Sequence, residues 1–101
     1  MPISDVSIRN GWIQVFDERS RKISEMSASR KEVRGIALDF FVVLHNGWIE
    51  TYDEKCKKIK DMSASNKIVK GASGTTFLVQ AGSYIQTYDR NCKKISERYG
   101  N

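Results

Sequence analysis

The sequence is short of the residues on which most site chemistry is built. It has one histidine, two cysteines and one proline among 101 residues. It contains no set that pairs a nucleophile with a base, no glycine-rich phosphate loop and no cluster with metal-ligand spacing. The sequence therefore predicts a protein that is not an enzyme and that binds neither a metal nor a cofactor.

Long apolar runs are also missing. The longest, FFVVL at residues 40–44, is far shorter than the roughly 20 residues that a membrane-spanning helix needs. The first residues, MPISDVSIRNG, lack the basic start and the apolar stretch of a secretory signal. We therefore expect no membrane partner and a cytoplasmic location.

What the sequence does have is a threefold internal repeat. The segment HNGWIETYDEKCKKIKDMSAS is preceded 36 residues earlier by RNGWIQVFDERSRKISEMSAS and followed 36 residues later by AGSYIQTYDRNCKKISERYGN. Between Asn10–Gly35 and Asn46–Gly71, 15 of 26 positions are identical. A fixed period of this length indicates one supersecondary unit stacked on copies of itself. We expect one repeat domain over 1–101, with repeats at 1–30, 31–66 and 67–101.

Each repeat has the pattern of four short strands, A to D. Asn10-Gly11 and Asn46-Gly47 separate strands B and C and supply the positive φ angles of a two-residue type I′ turn, whereas Gly82-Ser83 suits type II′. A polar turn and strand D follow, and a further loop leads to strand A of the next repeat. The first repeat has no segment equivalent to strand A. The sequence thus predicts an all-β chain of eleven strands in the order BCD, ABCD, ABCD.

The stretch GWIQVFDERSRKISEM and its two counterparts resemble the outer half of a β-propeller blade. The likeness is nearest to NHL-type blades, where a strand of the form RIQVFD precedes a polar turn and a short last strand. The resemblance implies four-stranded antiparallel blades, and it implies no particular chemistry, since propellers host unrelated functions. Because propellers have four to eight blades, we expect a homodimer that closes a six-bladed ring.

Two other architectures keep three repeats within one monomer. One is a three-sheet β-prism like that of the monocot mannose-binding lectins, and the other is a β-trefoil. The sugar motif of the prism lectins would fall on residues 44–52, where only Tyr52 matches. A mannose site of that kind is therefore not supported.

Alternation along strand C places a ring, a Gln or Glu, and a second ring on one face of every repeat. Aromatic faces stack on sugars, and amides or carboxylates bind hydroxyl groups, so this stripe is a candidate carbohydrate site. Packing between sheets is the competing interpretation. The candidate ligand-binding residues are Trp12, Gln14, Trp48, Glu50, Tyr84 and Gln86.

The C–D turns form a second candidate site, a basic rim for anionic ligands. The chain has a net charge of +5, and nucleic acid bound through phosphates would make the affinity salt-sensitive. Glu18, Glu54, Asp61 and Glu97 dilute the positive field, so a solvated rim is the competing interpretation. The basic rim consists of Arg19, Arg21, Lys22, Lys55, Lys57, Lys58, Arg90, Lys93 and Lys94.

Other repeated positions have structural explanations. Asp17, Asp53 and Asp89 end strand C and are expected to accept hydrogen bonds from the next turn. Cys56 and Cys92 are 36 residues apart, and a disulfide needs Cα atoms within about 7 Å, so we expect two reduced turn residues.

Two glycines interrupt strand A. Gly35 and Gly71 indicate places where backbones approach closely.

Taken together, the sequence predicts a small non-catalytic binding or assembly module of unknown ligand. Carbohydrate binding through the stripe and nucleic-acid binding through the rim are the alternatives.

Overall fold

The computed structural model describes residues 3–100 and consists of three antiparallel sheets. Blade 1 has three strands, in the order β1-β2-β3: Asp5–Arg9, Trp12–Phe16 and Lys22–Ser27. Among residues 3–100, no strand of this blade corresponds to strand A. The predicted incomplete first repeat is therefore confirmed.

Blades 2 and 3 each have four strands in sequential order. Blade 2 consists of β4 (Lys31–Ile36), β5 (Phe40–His45), β6 (Trp48–Asp53) and β7 (Lys58–Ser63). Blade 3 consists of β8 (Lys67–Ser73), β9 (Thr76–Ala81), β10 (Tyr84–Asp89) and β11 (Lys94–Tyr99). The eleven strands are those predicted from the repeat. No helix in residues 3–100 is long and apolar enough to cross a bilayer.

The hairpin turns have the backbone geometry that their residues predict. Asn10 and Gly11 have φ angles of 52° and 82°, and Asn46 and Gly47 have 50° and 81°. Two successive positive φ angles are the requirement of a type I′ turn. In blade 3 only Gly82 of the pair has a positive φ, 63°, as a type II′ turn requires.

All three blades point in the same direction. The Ile3 backbone N–H donates to the Leu38 carbonyl oxygen at 2.6 Å, and the Leu38 N–H donates to the Gly74 carbonyl oxygen at 3.0 Å. These residues lie at the A–B end of successive blades. The B–C hairpins of the three blades consequently share the opposite end, which we call the hairpin end.

Gly35 and Gly71 differ although both lie in strand A. A Cβ on Gly35 would lie 2.9 Å from the Ala72 Cβ, so β4 and β8 approach closely there. A Cβ on Gly71 would meet nothing within 4 Å, because no further blade follows it. The predicted close approach is therefore found where Gly35 meets the backbone at Gly71, whose carbonyl carbon would lie 3.2 Å from that Cβ, whereas the position of a Gly71 Cβ is open.

Candidate functional site

The core is divided into two junctions between successive blades. In the first, Ile13 and Val15 of blade 1 pack with Phe41, Val43 and Tyr52 of blade 2. In the second, the opposite face of blade 2 packs against blade 3, through Phe40, Val42 and Ile49 on one side and Phe77, Val79 and Tyr88 on the other. Blade 2 thus packs against blade 1 with one face and against blade 3 with the other.

At each junction, a hydroxyl group of one blade donates a hydrogen bond to the C–D turn of the following blade. At the first junction, the Ser24 hydroxyl donates to the Glu54 carbonyl oxygen at 2.6 Å. At the second, the Thr51 hydroxyl donates to the Arg90 carbonyl oxygen at 2.7 Å. Glu54 and Arg90 are equivalent in the repeat, so two different donors serve the same acceptor position.

The cysteines lie inside these two junctions. Cys56 packs against the first core and Cys92 against the second, and both are free thiols. Burial raises the pKa of both thiols, that of Cys92 to about 11. Their equivalent in blade 1, Ser20, is exposed. A small apolar residue therefore occupies this turn where a blade covers it, and a polar residue where none does.

The outer faces of blades 1 and 3 have no neighbouring blade. On blade 1, Asp5 and Ser7 occupy the positions that Phe41 and Val43 hold in blade 2. On blade 3, Thr76 occupies the position of Phe40. A groove of about 430 Å³ runs along this face of blade 3, and Gly71, Ala72, Thr76, Leu78 and Thr87 are among its lining residues.

The predicted ring stripe is divided between the surface and the interior. Trp12, Trp48 and Tyr84, beside the hairpin turns, are 45%, 49% and 46% exposed. At the other end of the stripe, Tyr52 and Tyr88 are buried and stack on Phe41 and Phe77 at 5.6 and 5.5 Å. Cross-strand stacking within a blade and burial in the inter-blade cores therefore account for the inner rings, whereas the outer three face solvent.

The polar members of the stripe are engaged within the protein. The Gln14 amide donates to Glu25 at 3.4 Å, and the Gln86 amide donates to Glu97 at 2.8 Å. Glu50 is buried and accepts a 2.7 Å hydrogen bond from the Tyr52 hydroxyl. Burial, and then this bond to Glu50, raise the pKa of Tyr52.

The only histidine belongs to the same group. The Nδ1 atom of His45 lies 3.4 Å from the Glu50 carboxylate. Gln14, Glu50 and Gln86 thus each have a partner across or along the sheet. Each of these side chains therefore already makes a hydrogen bond within its own blade.

The basic rim lies at the end of the blades opposite to the hairpins. Five of its nine basic side chains form ion pairs: Arg21 with Asp17, Lys22 with Glu25, Lys58 with Asp61, Arg90 with Asp39, and Lys94 with Glu97. Arg19, Lys55, Lys57 and Lys93 are in none of the ion pairs found among residues 3–100. The C–D turns thus lie at one end of the blades, but five of the nine positive charges are neutralised locally.

The three aspartates organise the turns that carry this rim. Asp17 Oδ1 accepts from the backbone N–H groups of Arg19 and Arg21, and Asp53 and Asp89 repeat the pattern. The bond from the Arg21 N–H is the main cause that lowers the pKa of Asp17. The interpretation of these residues as turn formers is confirmed. No group of three potential metal-ligating side chains occurs among residues 3–100.

These sheets define a class of protein, the β-propeller-like repeat proteins. Among solved structures, the chain is similar to the crystal structure of BamB from Moraxella catarrhalis, a β-propeller protein, with a TM-score of 0.61 and 14% sequence identity. The similarity covers 99% of this chain and 34% of BamB, so the chain spans about a third of that neighbour. At this identity the likeness concerns the fold alone. No family model matches the sequence, and no curated protein matches it.

Proposed function

We propose that this chain is a non-catalytic binding and assembly module, in which the outer face of blade 3 associates with blade 1 of a second copy. Two such contacts would close two copies into a six-bladed ring, the homodimer expected from the sequence. The observation that carries the proposal is the hydroxyl-to-turn hydrogen bond that recurs at both junctions. Cytoplasmic location and absence of catalysis are parts of the same proposal.

Blade 3 retains both hydroxyl donors on its outer face. Thr87 is equivalent to the donor Thr51, and Ser96 is equivalent to the donor Ser24. The acceptor that they would meet is the carbonyl group of Glu18, which is equivalent to Glu54 and Arg90. A third junction would therefore repeat the bonds seen at the first two.

The side chains of the two outer faces also match position by position. Phe40 meets Phe77 edge to face at 6.2 Å in the second junction. In the proposed contact the equivalent pair is Thr76 with Asp5 of the second copy, so that a hydroxyl and a carboxylate replace two rings together. Ile85 and Leu78 would face Phe16, which is equivalent to Tyr52 and Tyr88. The outer faces of blades 1 and 3 are thus both polar where Asp5 would meet Thr76. They are both apolar where Phe16 would meet Ile85 and Leu78.

Light scattering on a sizing column, under reducing conditions, tests the proposal. A mass of about twice 11.5 kDa is expected, whereas 11.5 kDa or an open series of larger masses would overturn the closed ring. Leu78→Arg should give a monomer, because it places a charge in the middle of the contact. Ser65→Arg, in an exposed turn away from both outer faces, is the matched control and should remain dimeric.

A charge swap separates a lost contact from a misfolded chain. Asp5→Lys and Thr76→Asp should each weaken the dimer, the first by removing a carboxylate and the second by placing two carboxylates together. The double variant should recover dimerisation because the introduced ammonium group would then face the introduced carboxylate of the other copy. If each single change leaves the mass at twice 11.5 kDa, these positions do not meet.

A further inference from the structure

Each blade carries an exposed ring and a cation in one transverse row at the hairpin end. Cross-strand pairing aligns Arg9 with Trp12 and Ser27 in blade 1, and Lys31 with His45, Trp48 and Ser63 in blade 2. In blade 3 it aligns Lys67, Ala81, Tyr84 and Tyr99. Paired side chains project from the same face and lie about 5 Å apart. We call these three sets the ring–cation rows.

The charges at the hairpin end are unpaired. Its basic residues are Arg9, Arg30, Lys31, Lys67 and Arg98. None of them is in any of the ion pairs found among residues 3–100. Of the acidic side chains nearby, Glu32 binds Arg34 at 2.7 Å, and the buried Glu50 lies 3.4 Å from Nδ1 of His45. The hairpin end therefore has more unneutralised positive charge than the basic rim, which is the cluster that the sequence predicts.

A neutral sugar does not match this arrangement. The side chains that would bind its hydroxyl groups, Gln14, Glu50 and Gln86, are engaged with Glu25, Tyr52 and Glu97. Each row also holds a positive charge. Arg9 pairs directly with Trp12, whereas Lys31 and Lys67 lie two strands, or about 10 Å, from the rings of their rows. A ligand suited to these rows has flat faces that stack and one anionic group per repeating unit.

We propose that the hairpin end binds single-stranded nucleic acid. Bases would stack on Trp12, Trp48 and Tyr84, and phosphates would lie beside Arg9, Lys31 and Lys67. Aromatic rings accept any base and a basic track holds the backbone, which is how proteins bind single strands without reading sequence. Duplexes are disfavoured because their bases are already stacked. The rows belong to a single chain, so this proposal does not depend on the ring closing.

Fluorescence anisotropy tests the proposal. The ligands are labelled oligothymidylate and oligouridylate of about twelve nucleotides, a length within the usual site sizes for such binding. Binding should quench tryptophan fluorescence. The double variant Trp12→Ala with Trp48→Ala should weaken the affinity for the oligonucleotide by about tenfold or more. Lys31→Gln with Lys67→Gln should reduce the slope of log affinity against log salt by about 1.4, or about 0.7 per lost phosphate contact. Circular dichroism and the sizing column confirm that each variant is folded.

A matched variant and two other ligands make the test decisive. Lys57→Gln with Lys93→Gln removes the same charge from the basic rim and should change the affinity by less than about threefold. If this variant weakens binding and the hairpin-end variants do not, the proposal is overturned. Equal binding of heparin or of duplex DNA without quenching would also overturn it, as would no binding at low salt.

Discussion

The Thr51 hydroxyl donates a 2.7 Å hydrogen bond to the Arg90 carbonyl oxygen and so joins β6 to the turn after β10. Thr51 is fully buried, and its equivalent in blade 1 is the equally buried Val15. Valine therefore fits this position sterically, and Thr51→Val removes the hydroxyl alone. We expect the free energy of unfolding to fall by about 1–3 kcal/mol, because the part-buried Arg90 carbonyl loses this partner. Urea unfolding measures the change, with Thr51→Ser as the variant that keeps the donor.

Thr87 is the same residue at the outer face of blade 3, and it distinguishes a closed ring from a single chain. If a second copy supplies the Glu18 carbonyl group, Thr87→Val should cost as much as Thr51→Val and should weaken the dimer. If the face is in solvent, the substitution should change the free energy of unfolding by less than about 0.5 kcal/mol. Comparison of the two valine variants at several protein concentrations therefore tests the junction independently of the mass.

The elements that sequence analysis predicted correctly are those determined within one repeat. The Asn-Gly turns, the aspartates at the ends of strand C and the missing strand A depend on residues that are neighbours in the chain. The two glycines show where this reasoning fails. Gly35 and Gly71 have similar local sequences, yet an added Cβ would meet another strand only at Gly35. That difference depends on which blade comes next, which no local pattern states.

The candidate site was predictable to a similar degree. Alternation correctly places Trp48 and Glu50 on one face of β6, but it does not reveal that the Tyr52 hydroxyl binds the Glu50 carboxylate. Likewise, the repeat gathers basic residues at the C–D turns, but their ion pairs depend on strand register and on contacts such as Arg90 with Asp39. The sequence pattern does not place Lys31 and Lys67 with the exposed rings, because these lysines are distant in sequence from Trp48 and Tyr84. Only cross-strand pairing brings Lys31 and Lys67 into the same rows.

The contact between Gly35 and Ala72 can be tested by a double substitution. A Cβ at position 35 would lie 2.9 Å from the Ala72 Cβ and 3.0 Å from the Ala72 backbone nitrogen. We expect Gly35→Ala to lower the free energy of unfolding by about 1–3 kcal/mol through overpacking. Ala72→Gly removes the opposing methyl group and should relieve part of this cost. Strictly additive effects of the two changes would contradict the contact.

Asp17 makes a pH-dependent contribution to stability. Its folded-state pKa is lowered, chiefly by the Arg21 backbone N–H, below an unfolded value of about 3.9. The carboxylate therefore stabilises the folded chain above that pH, and the contribution is lost as the pH falls through the folded-state pKa. Asp17→Asn should be less stable than the natural chain at pH 7, and the difference should shrink as the pH falls below about 5. Glu18→Gln, which removes a charge from the same turn, is the control, and a gap that is constant with pH would contradict the mechanism.

The half-buried thiols of Cys56 and Cys92 provide a chemical measure of which junctions are covered. Because burial raises the pKa of Cys92 to about 11, roughly one thiol in a thousand is ionised at pH 8, against about a quarter of thiols with the ordinary pKa. Iodoacetamide should therefore modify Cys92 some hundredfold more slowly in the folded chain than in urea, as followed by mass spectrometry. Ser20→Cys introduces a thiol at the equivalent turn, where the φ of 62° matches that of Cys56. In an isolated chain this thiol should react rapidly, whereas a second copy seated on blade 1 should protect it as the protein concentration rises. Rapid reaction at every concentration would contradict the closed ring while leaving the protection of Cys92 in place.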